Sequence, residues 1–84
     1  MAELIQWYES RVEDGAGASY EAAVYGAERA DGTWEDWIEF RPAGGVAPAR
    51  RTGRETSQPS REALGYWASG LEPVYLEGAF ARAR

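Results

Sequence analysis

"YEAAVYGAERADGTWEDWIEF", residues 20–40, holds two runs of period-two alternation on either side of Ala30-Asp31-Gly32. Apolar residues at every second position, interrupted by a turn signal, read as a β-hairpin. The loop length decides what the hairpin builds, because a one-residue slip carries every side chain of a strand to the other face. A two-residue Asp31-Gly32 turn would set Glu28 against Glu35 and Val24 against Glu39. A three-residue loop, a type I turn followed by Gly32 in the left-handed region, sets Val24 against Ile38 and Ala22 against Phe40. The second register gathers Tyr20, Ala22, Val24, Trp34, Ile38 and Phe40 on one face and avoids a like-charge pair. The three-residue loop is therefore expected. The other face then carries Tyr25 against Trp37, ringed by Arg29, Glu35, Glu39 and Arg41, which makes a half-exposed aromatic patch.

Upstream, "ELIQWYESRVEDG" (3–15) reads two ways. Leu4, Tyr8 and Val12 have helical spacing, but alternate residues also suit a strand, and Ile5, Trp7, Tyr8 and Val12 favour a strand in composition. A strand over 4–12 followed by a Gly-rich reversal, "EDGAGAS" (13–19), gives a three-stranded antiparallel meander. Downstream, "PAGGVAPA" (42–49) has two prolines and two glycines in eight residues and is expected to be a loop. "RRTGRETSQ" (50–58) is either a short edge strand, where its charges would deter sheet-to-sheet pairing, or an extended loop.

The last third is helical. Pro59 suits a first turn with Ser57 or Gln58 as cap, and Glu62 falls early. Ala63, Leu64, Trp67, Ala68 and Leu71 follow helical spacing, with Trp67 assigned to the core and Tyr66 to the surface. Gly70 stops this helix. Pro73 opens a second, with Tyr75, Leu76, Ala79 and Phe80 on its apolar side and Arg82 and Arg84 near its C-terminus, where cations are favourable. Strands first and helices second predict an α+β fold: a three-stranded meander, four-stranded if 50–58 joins it, with two C-terminal helices packed on one face. One domain is expected over 1–84, divided into a β meander (1–41), a loop or edge strand (42–58) and a helical part (59–84).

"TGRETSQPSREALGYWASGLEPVYLEGAF" (52–80) resembles the ending of short uncharacterised bacterial proteins. The resemblance implies a self-contained bacterial domain family and brings no activity with it.

A chain of 84 residues buries only about 60% of its unfolded surface, which leaves a small core. Small domains lean on disulfides, metals or a partner subunit. With no cysteine and no histidine, disulfides and nitrogen–sulfur zinc sites are excluded, so a second chain is the expected staple. Eleven aromatic residues, four of them tryptophan, supply the means. No stretch is apolar for long enough to span a bilayer, and "MAELIQWYES" lacks the pattern of a signal peptide, so a cytoplasmic location is expected.

Charge divides the chain. Residues 1–40 hold ten carboxylates and two arginines, net −8; residues 41–84 hold four carboxylates and seven arginines, net +3; the whole is −5. Without His or Cys, two common acid–base and nucleophile types are missing. Asp31, Glu35, Asp36 and Glu39 crowd the second hairpin strand, where they read as a solvated acidic strand and turn whose spacing matches no calcium loop. Neither Gly44-Gly45 nor Gly15/Gly17 leads into a phosphate-loop pattern. No catalytic, metal or cofactor-binding residue is assigned, and no enzymatic activity is expected.

Arg50, Arg51, Arg54 and Arg61 lie within twelve residues. They could be a solvated loop, partners to carboxylates, or an anion site beside the helix starting at Pro59. A pI near 4.6 is far from the basic footprint of nucleic-acid binders, so carboxylate pairing is preferred. The expected function is a non-catalytic protein-interaction module. It self-associates, a dimer being favoured, through the outer sheet face at Tyr25, Trp37, Arg29 and Arg41. The alternative is a small nucleic-acid-binding or anion-binding domain centred on Arg50, Arg51, Arg54 and Arg61.

Overall fold

The hairpin sets the frame. In a computed structural model, which describes residues 1–44 and 47–84, strand β2 (Ser19–Glu28) pairs antiparallel with β3 (Trp34–Pro42). Val24 faces Ile38, Ala22 faces Phe40 and Tyr25 faces Trp37, the register of a three-residue loop. The turn closes with the Arg29 N–H donating to the Thr33 carbonyl at 2.7 Å and the Gly32 N–H to the Arg29 carbonyl at 3.0 Å. Gly32 sits at φ +87°, where a side chain would be strained. The Thr33 hydroxyl and amide both donate to Asp31 Oδ1, at 2.6 and 3.0 Å. These bonds, the hydroxyl's first, hold the Asp31 carboxyl below the usual carboxylate range.

Strand β1 (Glu3–Glu13) pairs with β2 and explains its own ambiguity. The pairing runs Leu4–Tyr25, then Gln6–Val24 and Trp7–Ala23, then Arg11–Glu21 and Val12–Tyr20. One extra residue is inserted between Leu4 and Gln6, and two more between Trp7 and Arg11. These bulges turn Ile5, Tyr8 and Val12 to the core side and Leu4, Trp7 and Arg11 to the outside. Each trio has gaps of three and four residues, the spacing of a helix produced by an irregular strand.

Residues 50–58 form a broken fourth strand along the far side of β3. Short strands β4 (Arg50–Arg51) and β5 (Ser57–Gln58) both pair with β3, Arg51 opposite Glu39 and Gln58 opposite Trp34. Between them the Thr52 N–H still donates to the Ile38 carbonyl at 2.9 Å and the Glu55 N–H to the Asp36 carbonyl at 3.3 Å, and side chains supply the remaining bonds. The Ile38 N–H donates to Thr52 Oγ1 at 3.0 Å, and the Thr56 N–H donates to Asp36 Oδ1 at 2.7 Å. The strand order is β1-β2-β3-β4, with β5 also on β3. Of the expected loop at 42–49, Pro42 instead ends β3, and Gly45 and Val46 lie outside the described residues.

Helices α1 (Arg61–Ser69) and α2 (Pro73–Arg82) cover one face of this sheet. The core joins Val12, Tyr20, Ala22, Val24, Ile38 and Phe40 to Ala68, Leu76, Ala79 and Phe80. Phe80 is its keystone, with ring centroids 4.9 Å from Tyr20 and 5.1 Å from Phe40. Gly26 lets α1 sit down on β2: a β-carbon there would lie 2.6 Å from Leu64 Cδ2 and 3.2 Å from the Glu35 carbonyl.

Three details differ from expectation. The cap of α1 is Ser60, whose Oγ accepts from the Ala63 N–H at 3.1 Å. Pro59 biases Gln58 toward extended backbone, and Ser57 and Gln58 are committed to pairing with β3. Trp67 is only partly buried, at the rim of the core and edge-on to Tyr75 at 6.0 Å, while Leu64 and Ala68 are fully buried. Asp36 is no solvated strand residue: it shares the inner face with Ile38 and Phe40 and has no exposed surface. It is there because its carboxylate replaces a ladder bond where the β4–β5 segment loops out.

Candidate functional site

The outer face of the sheet is built by strand alternation. With Ala22, Val24, Ile38 and Phe40 turned inward, Tyr25 and Trp37 must point out, and the β1 bulges bring Leu4 beside Tyr25 and Trp7 beside Ala23. The result is an apolar strip, Leu4–Trp7–Tyr25–Trp37, that neither helix covers. Leu4 is 51% exposed and Trp7 50%. A shallow cleft runs along it, lined by Leu4, Trp7, Ala23, Tyr25, Glu39 and Arg41.

Charged side chains fix the strip from both sides. The Arg51 guanidinium lies over the Trp37 ring, 4.5 Å from its centroid, and Arg41 lies 5.9 Å from the Tyr25 centroid. The Trp37 indole N–H donates to Glu39 Oε2 at 3.1 Å, and Arg41 donates to Glu39 Oε1 at 3.1 Å. That bond raises the Arg41 pKa further above its ordinary value. Cation–π contacts of this kind orient an arginine without neutralising it. Arg29 follows β2 at the turn and is exposed.

The four clustered arginines of the sequence do not converge. Arg50 turns to the core side, over the rings of Phe80 (4.9 Å) and Tyr20 (5.6 Å), while its neighbour Arg51 turns outward to Trp37. Strand alternation separates them. Arg61 pairs with Glu3 of β1 at 3.1 Å, and Arg54 is exposed. What the sequence reading missed is the tail. Arg84 and Arg51 exchange backbone hydrogen bonds in both directions, at 2.9 and 3.1 Å, so the C-terminal arginines return to the β4 edge.

A second polar cluster lies between sheet and helices. Asp36 Oδ1 is bonded to Thr56, but Asp36 Oδ2 is buried with no hydrogen-bond partner among the described residues. Burial raises this carboxyl to about 6, a shift to which the nearby Glu55 carboxylate adds. Glu55 Oε1 accepts from the Tyr75 hydroxyl at 2.7 Å and also from Arg82. The Tyr8 hydroxyl donates to the Ala68 carbonyl at 2.6 Å, tying β1 to α1. Burial, and then Asp36, raise the Tyr8 phenol; burial and the Glu55 bond push Tyr75 up to about 12. Both phenols therefore stay protonated donors at any ordinary pH. Asp36 offers no surface to a dissolved substrate, so the cluster acts as a structural tie.

Among the described residues, no group of three or more acidic side chains is placed to hold a metal ion. Among the same residues, no helix is long and apolar enough to cross a membrane. No family model, curated protein or solved structure matches the chain.

Proposed function

We propose that the chain is a non-catalytic protein-interaction module that associates with itself through the outer face of its sheet. The observation that carries this reading is the apolar strip of Leu4, Trp7, Tyr25 and Trp37, left uncovered while the opposite face is packed under both helices. Contiguous exposed apolar surface marks interaction sites, and interface cores are enriched in Trp, Tyr and Arg. A small chain without disulfide or histidine also gains most from a partner subunit. Sedimentation of the purified chain from 10 to 500 µM tests the reading: a dimer or larger species is expected, and Trp7→Ser or Trp37→Ser should weaken it at least tenfold. A monomer throughout the range would reject it.

A second reading, an anion-binding edge, is favoured by one observation: the pairing of Arg84 with Arg51, which adds the tail to the segment that carries Arg50, Arg51 and Arg54. Salt-sensitive retention on a phosphate matrix, lost on Arg54→Glu and Arg84→Glu, would support it. The net charge of −5 weighs against a polyanion as the ligand.

A further inference from the structure

We infer that the second copy packs face to face on the outer sheet face, with its interleaved arginines and glutamates set against opposite charges of the first. This rests on the self-association reading above and adds the face-to-face packing and its electrostatic logic. Strand register places four arginines on that face, Arg11, Arg29, Arg41 and Arg51, and four glutamates, Glu13, Glu21, Glu35 and Glu39. These eight in-register charges cancel on a chain of net charge −5, and within the chain Arg11 lies 3.9 Å from Glu21 and Arg41 3.1 Å from Glu39. The rest of the chain then carries the whole net charge of −5, so approach by this face meets less like-charge repulsion than the remaining surface offers on average. A face with equal numbers of both signs can also be complementary to itself, as a two-fold contact requires.

Area makes the charges part of the contact. A standard interface takes about 800 Å² from each partner. The chain exposes 5238 Å² in all and measures 41 × 22 × 18 Å. An interface of that size occupies most of one broad side of the slab, so it extends beyond the aromatic strip into the charged rows.

The sheet edges offer a poorer route. The free edge of β1 is broken by its bulges and carries Glu3, Glu9 and Glu13, devices that deter strand addition. On the other side, Arg84 already takes the backbone groups of Arg51 at the two-residue strand β4. Of the sheet's own surfaces, the outer face is therefore the better one for a second copy to settle on.

Two complementary variants test this. Arg41→Glu with Arg51→Glu makes the face acidic; Glu21→Arg with Glu39→Arg makes it basic. Each alone should self-associate at least tenfold more weakly than wild type in sedimentation at low salt. Mixed, the two should form a one-to-one heterodimer. Circular dichroism checks folding, and the single variants Arg29→Glu and Glu35→Arg, which leave the Glu39 network intact, repeat the test if a double variant does not fold. If wild type dimerises, Trp37→Ser abolishes the dimer, and the charge variants still self-associate as wild type does, charge matching is overturned while the interaction reading stands. A wild-type monomer at 500 µM overturns both.

Discussion

Asp36 shows how one residue can hold a fold together and weaken it at once. Its Oδ1 accepts from the Thr56 amide where the fourth strand breaks, while its Oδ2 has no partner among the described residues. Because burial lifts the folded-state pKa to about 6, the folded chain binds a proton that the unfolded chain releases near pH 4. Stability from this group is therefore full below about pH 4, falls as pH rises to about 6, and is level above that; the swing is about 3 kcal/mol at most. Asp36→Asn keeps an acceptor for Thr56 and removes the charge. Thermal melts should show it more stable than wild type at pH 7.5, by about 1–3 kcal/mol, and less dependent on pH between 4 and 6. A variant less stable than wild type at pH 7.5, with the same pH slope, would show that Asp36 stays ionised in the fold down to about pH 4. Gly26 is the second sensitive residue. A methyl group there meets Leu64 and the β3 backbone, so Gly26→Ala should lower stability by about 1–3 kcal/mol through overpacking. Denaturant unfolding would measure it, and Gly26→Ala with Leu64→Val should recover part of the loss.

At the scale of elements, the start of α1 and the rim of the core give the clearest tests. Ser60 is the side-chain cap of that helix, so Ser60→Ala should lower stability by about 1 kcal/mol, whereas Ser57→Ala should change little. Leu64 is fully buried and Trp67 is not. Leu64→Ala should therefore lose about 2–5 kcal/mol, enough to threaten a domain this small. Urea unfolding of Trp67→Ala beside it ranks the two, and a larger loss for Trp67 would place the core deeper under α1 than the geometry does. The legibility of the elements was uneven for a physical reason. Turn chemistry at Asp31-Gly32 and the pairing of like with like decided β2 and β3 from local sequence alone. In β1 the bulges gave inward residues helical spacing, so alternation and composition had to be weighed against a helical pattern. Asp36 could have been found: the hairpin register already placed it on the inner face, but its type suggested solvent.

For the whole molecule, the proposed self-association would make stability depend on concentration. If folded chains are paired, each tenfold increase in protein concentration should raise the Tm by about 3–5 °C. A scan at 5, 50 and 500 µM checks this, and Trp7→Ser should flatten the dependence without moving the Tm at the lowest concentration. Salt should weaken association by screening the charged rows while leaving the apolar strip, so dimer dissociation should rise between 20 and 500 mM salt and then level. A concentration-independent Tm in wild type would mean that the face stays bare in solution.

By itself the sequence determined the hairpin register, the order of strands before helices, the two helices and the pairing of Tyr25 with Trp37. Those features follow from local rules: alternation, turn residues and helical spacing act over a few residues at a time. Tertiary structure alone decided where the arginines go. Neighbours in sequence at 50 and 51 separate onto opposite faces, Arg61 finds Glu3 fifty-eight residues away, and Arg84 returns to Arg51. Only the fold also turned Leu4 and Trp7 outward and gave Asp36 its amide partner twenty residues on. Long side chains and broken strands take their places from whatever the packed chain brings near them, and no local pattern encodes that.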